Sequence, residues 1–353
     1  MNDIENVVVA TAERIFSDLA DPQAIIQSRS DEWRGKLWNA VEDVGLSLAW
    51  VPDTLGGGGA SIDDGFGIIR AAGRGALASP LAETLLAGWL LGHVGLEPPG
   101  GPMSVAPTRP NDRLALDGAG RLSGRARKIA FARDARHLAV LASSSDGNVV
   151  ALVRTEDCRL KAGVNLAGDP CDTVEFANVV PLAVAKAGSL GANALLLMGA
   201  TVRAQQIAGA LEKALELSVR YSMERIAFEK PISKFQAVQH NLARLGGEVA
   251  AAVSAAASAV DTIAESDLAS NEALLEIAAA KIRCGEAAET GTGIAHQVHG
   301  AIGFTDEHVL HRFTLRALSW RNDFGDETFW SLQLGELIAD LGAEQLWPLL
   351  ASR

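Results

Sequence analysis

The feature that most constrains the fold is the length of the helical-period stretches between residue 189 and the C-terminus. Ile207, Leu211, Leu215 and Ser218 mark one apolar face. Val238, Leu242, Leu245, Val249 and Val253 mark a second, on an alanine-rich helix expected to run to about Ala264. Asn271 is placed to cap a third, through Ile277, Lys281 and Cys284. A shorter helix over Val309–Ser319 and a last one over Glu327–Leu341 complete the set. Long helices with one apolar stripe bury it best against one another, so residues 189–353 are expected to form a four-helix bundle.

The rest of the chain divides in two. Residues 1–102 read as a helical N-terminal domain. Ile4, Val8, Ala12, Ile15 and Leu19 keep helical spacing, as do Trp33, Leu37, Val41 and Val44. The run Gly56–Gly59 breaks the chain, helices are expected over Ile62–Ala72 and Ser79–Leu91, and Pro98–Gly101 is a linker. Residues 103–188 change period. Short apolar runs at Leu114–Leu116, Lys128–Phe131, Leu138–Ala142, Val149–Val153 and Val174–Phe176 are separated by turn pairs such as Asp117-Gly118 and Asp146-Gly147. They predict a small antiparallel β-barrel domain. The fold class is therefore α+β, mainly α. No βαβ alternation and no GxGxxG after a strand supports a Rossmann fold.

Composition narrows the function classes. The net charge of −12 and pI of about 5.1 argue against a nucleic-acid partner and against adhesion to anionic membranes. Three scattered cysteines, Cys158, Cys171 and Cys284, suit a reducing, cytoplasmic compartment. No run of about 18 apolar residues suggests a membrane span, and the acidic start MNDIENVVVATAERIF has no signal-peptide core. His296 and His299, like His308 and His311, stand three apart. With no acid or cysteine to complete a ligand set, no metal is expected. Tryptophans such as Trp50 and Trp320 are expected in the core or at interfaces.

Two blocks carry the functional signal. The first, Tyr221–Gln239, reads YSMERIAFEKPISKFQAVQ, a helix broken at Pro231 and resumed; the second, Ala295–Phe304, reads AHQVHGAIGF. Together and in this order they resemble the C-terminal half of the acyl-CoA dehydrogenase family, whose members use FAD to oxidise acyl-CoA thioesters. The resemblance runs from about Trp33 to Glu336 and is weakest from Pro107 to Ala187. It implies that Arg225 reaches across a subunit interface to the FAD pyrophosphate, with Phe228 and Gln236 near the adenine half, and Gln297 and Gly300 lying close to the cofactor. A guanidinium suits that task because it forms paired, charge-assisted bonds to phosphate. The plain alternative for Arg225 is a surface ion pair with Glu224 or Glu229. Two positions depart from the family pattern: Ala301 and Glu229 stand where glycine is usual.

The flavin end departs further. The usual Thr/Ser-Glu-Pro-x-x-Gly-Ser-Asp loop and Trp-Ile-Ser/Thr segment are absent, their places taken by VAPTRPNDRLALDGAG and KIAFARDARHLAVLA. The reaction also needs a carboxylate base at the acyl α-carbon. The family offers two places for it. At the place before Tyr221, around Gly199, this chain reads GATVRA; at the other, Phe324 or Gly325 matches the usual glutamate. The nearest acids are Asp326 and Glu327, candidates for the base, which equally suit the N-terminus of the last helix. Two functions follow from the resemblance. One is a FAD-dependent acyl-CoA dehydrogenase that passes electrons to an electron-transfer flavoprotein. The other is a non-catalytic or cofactor-completing subunit of a heterotetramer acting on bulky, steroid- or ring-derived CoA esters. A homodimer or tetramer, or a heterotetramer with a homologue, is expected. The apolar cluster Val309, Leu310, Phe313, Leu315, Phe324, Phe329, Trp330, Leu332 and Leu334 is expected to lie largely between subunits.

Overall fold

A computed structural model describes residues 6–28, 30–188, 190, 191 and 193–351. Of the N-terminal stripe, Ile4 lies outside the described residues, as does Ser189 at the expected domain boundary. The N-terminal part is helical: α1 (Val7–Leu19), α2 (Pro22–Ser28), α3 (Glu32–Asp43), α4 (Ile62–Arg74) and α5 (Leu81–His93). Asn6 caps α1, its side chain accepting from the Val8 and Val9 amides. Ser61 and Asp64 form a reciprocal capping box on α4. α2 has no buried residue, which is why no apolar stripe announces it.

The middle segment forms one eight-stranded sheet from β1 (Met103–Ala106), β2 (Leu114–Leu116), β3 (Leu122–Ala130), β4 (His137–Ser144), β5 (Gly147–Arg154), β6 (Arg159–Lys161), β7 (Cys171–Val179) and β8 (Ala183–Lys186). The strand order is β6-β7-β3-β2-β4-β5-β8, with β1 added against β4. The sheet is mixed: β1 and β2 both pair with β4 in parallel, and the other pairings are antiparallel. Its end strands β6 and β8 do not pair with each other, so barrel closure is not seen among the described residues. A core of alternate residues, including Leu122, Ala126, Val140, Ala151, Val174 and Phe176, fills one face.

The C-terminal part is a helical bundle built on α6 (Ala194–Glu224), which continues through the hairpin β9 (Ile226–Ala227) and β10 (Lys230–Pro231) into α7 (Gln236–Glu265) and α8 (Asn271–His299). α9 (Leu310–Trp320), α10 (Glu327–Leu341) and α11 (Ala343–Ala351) follow. Asn271 is the first residue of α8; the cap is Ser270, whose hydroxyl accepts from the Ala273 amide. α6 and α7 are each long and apolar enough to cross a membrane, but the most apolar stretch of α6 is wholly buried in the protein core.

α6 is buried on nearly all sides from Ala194 to Leu211, where glycines let α4 approach its backbone. A Cβ at Gly209 would overlap the Arg70 carbonyl, and one at Gly73 would overlap the Gln206 carbonyl. Gly209→Ala is therefore expected to destabilise the protein by roughly 1–3 kcal/mol, since neither backbone can give way. Gly247→Ala, on the exposed side of α7 with nothing nearby, should instead gain up to about 1 kcal/mol in helix propensity. Urea melts of the two variants check this; equal shifts would disprove the close-approach account.

Candidate functional site

α6 ends at Glu224, where Arg225 leaves the helix in an extended conformation (φ −74°, ψ 118°) with its N–H still donating to the Tyr221 carbonyl at 2.8 Å. The Arg225 carbonyl accepts from the Ile232 N–H at 2.8 Å. The backbone is thus held on both sides while the side chain is exposed. It makes no ion pair or side-chain hydrogen bond among the described residues, so the pairing with Glu224 or Glu229 is not present. The two-residue loop of the hairpin is Phe228-Glu229, with φ of 50° and 66°. Both residues left-handed is the geometry that matches strand twist in a tight hairpin. It explains why glycine would suit position 229, where a side chain costs roughly 1–2 kcal/mol. Phe228 is 89% exposed, and Lys230 lies over the Phe235 ring at 4.4 Å. Gln236 opens α7 with its side-chain amide exposed and unpaired among the described residues.

The second block closes α8. Gly300 has φ 65° and ψ −147°, a region only glycine enters without strain. Thr292, His296, Gln297, Gly300, Ala301 and Phe304 line an open cleft of about 610 Å³. Gln297 is exposed with no hydrogen-bond partner for its side chain among the described residues. His296 stacks on Phe304 at 4.1 Å and shares a 2.9 Å hydrogen bond with Thr314, leaving Nδ1 buried without a partner. The two blocks meet where the Tyr221 ring stacks on His299 at 4.6 Å, with His308 a further 4.7 Å from His299. The histidines serve as rings in this packing. Burial holds His296 and His299 below the usual imidazole range, and burial, then His299 and Arg220, bring His308 down to about 4. No cluster of three or more metal-ligating side chains occurs among the described residues.

These observations fit the phosphate and adenine end of FAD. Arg225 offers an uncommitted guanidinium, Gln236 and Gln297 offer uncommitted amides, and Gly300 offers backbone with no Cβ in the way. The flavin end fits poorly. The PTRPND segment is tied to the sheet, with the Asp112 carboxylate accepting from Arg127 N and Nε at 2.6 and 2.7 Å, and Phe131 is buried. A cleft of about 380 Å³ remains between the sheet and α9, with Arg109 bridging to the Asn322 carbonyl at 3.1 Å.

The two places where the family carries its base converge in space, and both are filled. Phe324 is buried with its ring packed on Gly199, where a Cβ would overlap it. Its N–H donates to the Thr108 carbonyl, and its carbonyl accepts from Trp330 Nε1, both at 3.1 Å. Asp326 caps α10, accepting from the Phe329 amide at 2.9 Å. Glu327 folds back over Gly285 and accepts from Arg321 Nε at 2.6 Å. Both carboxylates therefore hold helix α10 in place.

Behind Phe324 lies a buried charge cluster that the sequence reading missed. Arg203 donates to Glu83 at 2.7 Å, to Asp323 at 3.0 Å and to Gln206 at 2.6 Å. Lys281 donates to the Arg321 and Gly325 carbonyls at 2.5 and 2.8 Å, and burial lowers its pKa to about 8. The available signal was Lys281 itself, standing in the apolar stripe of α8. The expectation of a subunit face in the last helices also changes: Leu310, Phe313, Phe324 and Trp330 are buried within the chain, and of that cluster only Leu332 is exposed. The exposed apolar side chains Met223, Ile226 and Phe228 gather instead beside Arg225.

The architecture is a helical segment, a mixed sheet and a helical bundle whose α6 and α7 are joined by a short hairpin. Residues 188–327 match the model of the acyl-CoA dehydrogenase C-terminal domain. Through residues 188–327 the chain is similar to the acyl-CoA dehydrogenase family. It is 28% identical over 323 residues to acyl-CoA dehydrogenase IpdE2 of Mycolicibacterium smegmatis, covering 90% of this chain and 93% of that one. It is 28% identical over 340 residues to acyl-CoA dehydrogenase FadE27 of Mycobacterium tuberculosis, covering 87% and 89%. Among solved structures it is similar to the ChsE4-ChsE5 complex of Mycobacterium tuberculosis, with a TM-score of 0.84 at 22% identity over 97% of this chain and 100% of that one. The Tcur3481-Tcur3483 steroid ACAD gives 0.83 at 24% identity, over 94% and 97%.

Proposed function

We propose that this chain is the cofactor-completing subunit of an FAD-dependent, heteromeric acyl-CoA dehydrogenase. It presents Arg225, Phe228, Gln236, Gln297 and Gly300 to FAD held mainly by a homologous chain, which carries the base. The observation that carries this reading is Phe324 packed on Gly199, which leaves no room for a carboxylate at either family position. Two structural neighbours whose names join two chains support it, and one of them is a steroid ACAD. Bulky steroid- or ring-derived CoA esters are the substrates proposed here, with an electron-transfer flavoprotein as acceptor and the cytoplasm as location. FAD, when bound, takes up the two electrons removed from the acyl chain. This chain's residues bind and orient it: the guanidinium neutralises the pyrophosphate, and the backbone at Gly300 permits close approach. The self-sufficient alternative rests on Asp326 or Glu327 leaving its helix-capping or ion-pair role.

The chain expressed alone is expected to be colourless, and yellow when co-purified with a longer homologue. In the complex, Arg225→Ala should weaken FAD retention roughly 10- to 100-fold, for a lost charge-assisted contact of about 1.5–3 kcal/mol. Arg244→Ala, exposed on α7, should leave it unchanged. A yellow isolated chain that bleaches with an acyl-CoA would overturn the subunit reading. Equal FAD retention in both variants would overturn the placement of the phosphate. Asp326→Asn and Glu327→Gln should change turnover of the complex only a few-fold; a loss of orders of magnitude would return the base to this chain.

A further inference from the structure

A second polar pocket lies on the sheet, and none of its residues belongs to the FAD set. The segments entering β4 and leaving β5 run side by side there: His137 is in register with Arg154, and the Thr155 N–H donates to the Arg136 carbonyl at 3.0 Å. Their side chains line a cleft of about 530 Å³.

The charge and hydrogen-bonding state of these residues mark the cleft out. Arg136 and Arg154 are exposed cations with no ion pair or side-chain hydrogen bond among the described residues. His137 Nδ1 and Thr155 Oγ1 are both buried without a partner, an arrangement proteins seldom tolerate unless something else supplies the bond. The neighbouring Arg133 is not available, because its guanidinium is taken by Asp172 and the Gly163 carbonyl. Glu156 is the one carboxylate lining the cleft, and it opposes two free arginines. Burial, then Arg154 and Arg136, hold His137 below the usual imidazole range. On a chain of net charge −12 this is a local reversal of sign.

We propose that Arg136, His137, Arg154 and Thr155 form a binding site for the phosphate monoester of a small molecule of about nucleotide size. Uncommitted guanidinium groups match phosphate oxygens. The cleft exceeds the needs of one oxyanion and falls within the range of small-molecule sites, roughly 300–1,000 Å³. Leu160, 39% exposed on its wall, offers apolar surface for the organic part.

Isothermal titration of the purified chain at low salt tests this with uridine 5′-monophosphate, inorganic phosphate and uridine. The monophosphate is expected to bind saturably, phosphate more weakly and uridine not at all. The double variant Arg136→Gln/Arg154→Gln should lose at least about 10-fold in affinity, and Thr155→Val several-fold, each with an unchanged thermal melt. Arg225→Ala should bind as the parent does, which separates this site from the FAD face. No binding of either phosphate at millimolar concentration, or parental affinity in the double variant, would refute the site. Phosphate binding as tightly as the nucleotide would refute the nucleotide-sized ligand.

Discussion

Arg203→Met is expected to destabilise the protein by roughly 3–5 kcal/mol, because it strands a buried carboxylate. Arg203 and Glu83 are each only 3% exposed and are joined at 2.7 Å. The same guanidinium reaches Asp323 at 3.0 Å and sits 5.7 Å from the Phe324 ring. Methionine keeps most of the volume, so the loss reports the uncompensated charge and not a cavity. The double variant Arg203→Met/Glu83→Gln should recover part of the loss, since the fully buried Glu83 is then no longer charged and alone, while Asp323, at 17% exposure, keeps some access to water. Guanidinium chloride unfolding of the parent, the two single variants and the double variant closes the cycle. A single-variant loss under about 1 kcal/mol would mean that water or rearrangement reaches Glu83, and the cluster would not be a structural unit.

The second large effect lies at alkaline pH, where two buried groups on α8 pull in opposite directions. Burial pushes the Cys284 thiol up from 9.0 to about 12, and lowers Lys281 from 10.5 to about 8. The thiol has its folded pKa above the unfolded value. Its stabilising contribution is complete below pH 9 and is lost as the pH rises towards 12. The lysine has its folded pKa below the unfolded value, so the unfolded chain binds more protons between pH 8 and 10.5, and stability rises through that window. From pH 8 to 10.5 the thiol loses roughly 2 kcal/mol and the lysine gains roughly 2–3 kcal/mol, leaving little net slope from the pair. Cys284→Ala removes one side of the balance. Its stability should rise by roughly 2 kcal/mol more than the parent's over the same interval, in urea melts at the two pH values. Parallel behaviour of parent and variant would show that the thiol ionises without unfolding.

The sequence was most legible where one residue type has one reason to be present. Val238 to Val253 could only be one face of a long helix, and α7 follows it. Asp146-Gly147 marked a hairpin turn, and the β4–β5 pair closes there at Ser144 and Gly147. The strands β1, β6 and β8 were missed because each is short and takes its stability from its neighbour's backbone, not from its own pattern. The parallel pairing of β1 with β4 joins residues as far apart in sequence as Met103 and His137, and no local signal encodes it. At the site, Arg225 and Gly300 stood out through the resemblance carried by the two blocks they stand in; the fold adds that one is an uncommitted cation at a helix end and the other a glycine at φ 65°. The Phe324–Gly199 contact was invisible as a contact. Each residue registered as a missing acid, and only the fold shows that the two absences occupy the same space. The cluster of Glu83, Arg203 and Asp323 is likewise distributed over three elements, and each member alone reads as a surface charge.

The Phe324–Gly199 contact also makes the present arrangement hard to leave by single steps. A carboxylate placed at position 324 alone would forfeit the ring packing against α6, leave a void over Gly199 and sit beside Asp323. A carboxylate placed at 199 alone would collide with the ring. Each one-residue path therefore passes through a destabilised protein, whichever end it starts from. Gains at one position depend on what already stands at the other, so the pair behaves as a ratchet: further change accumulates around it more readily than reversal through it.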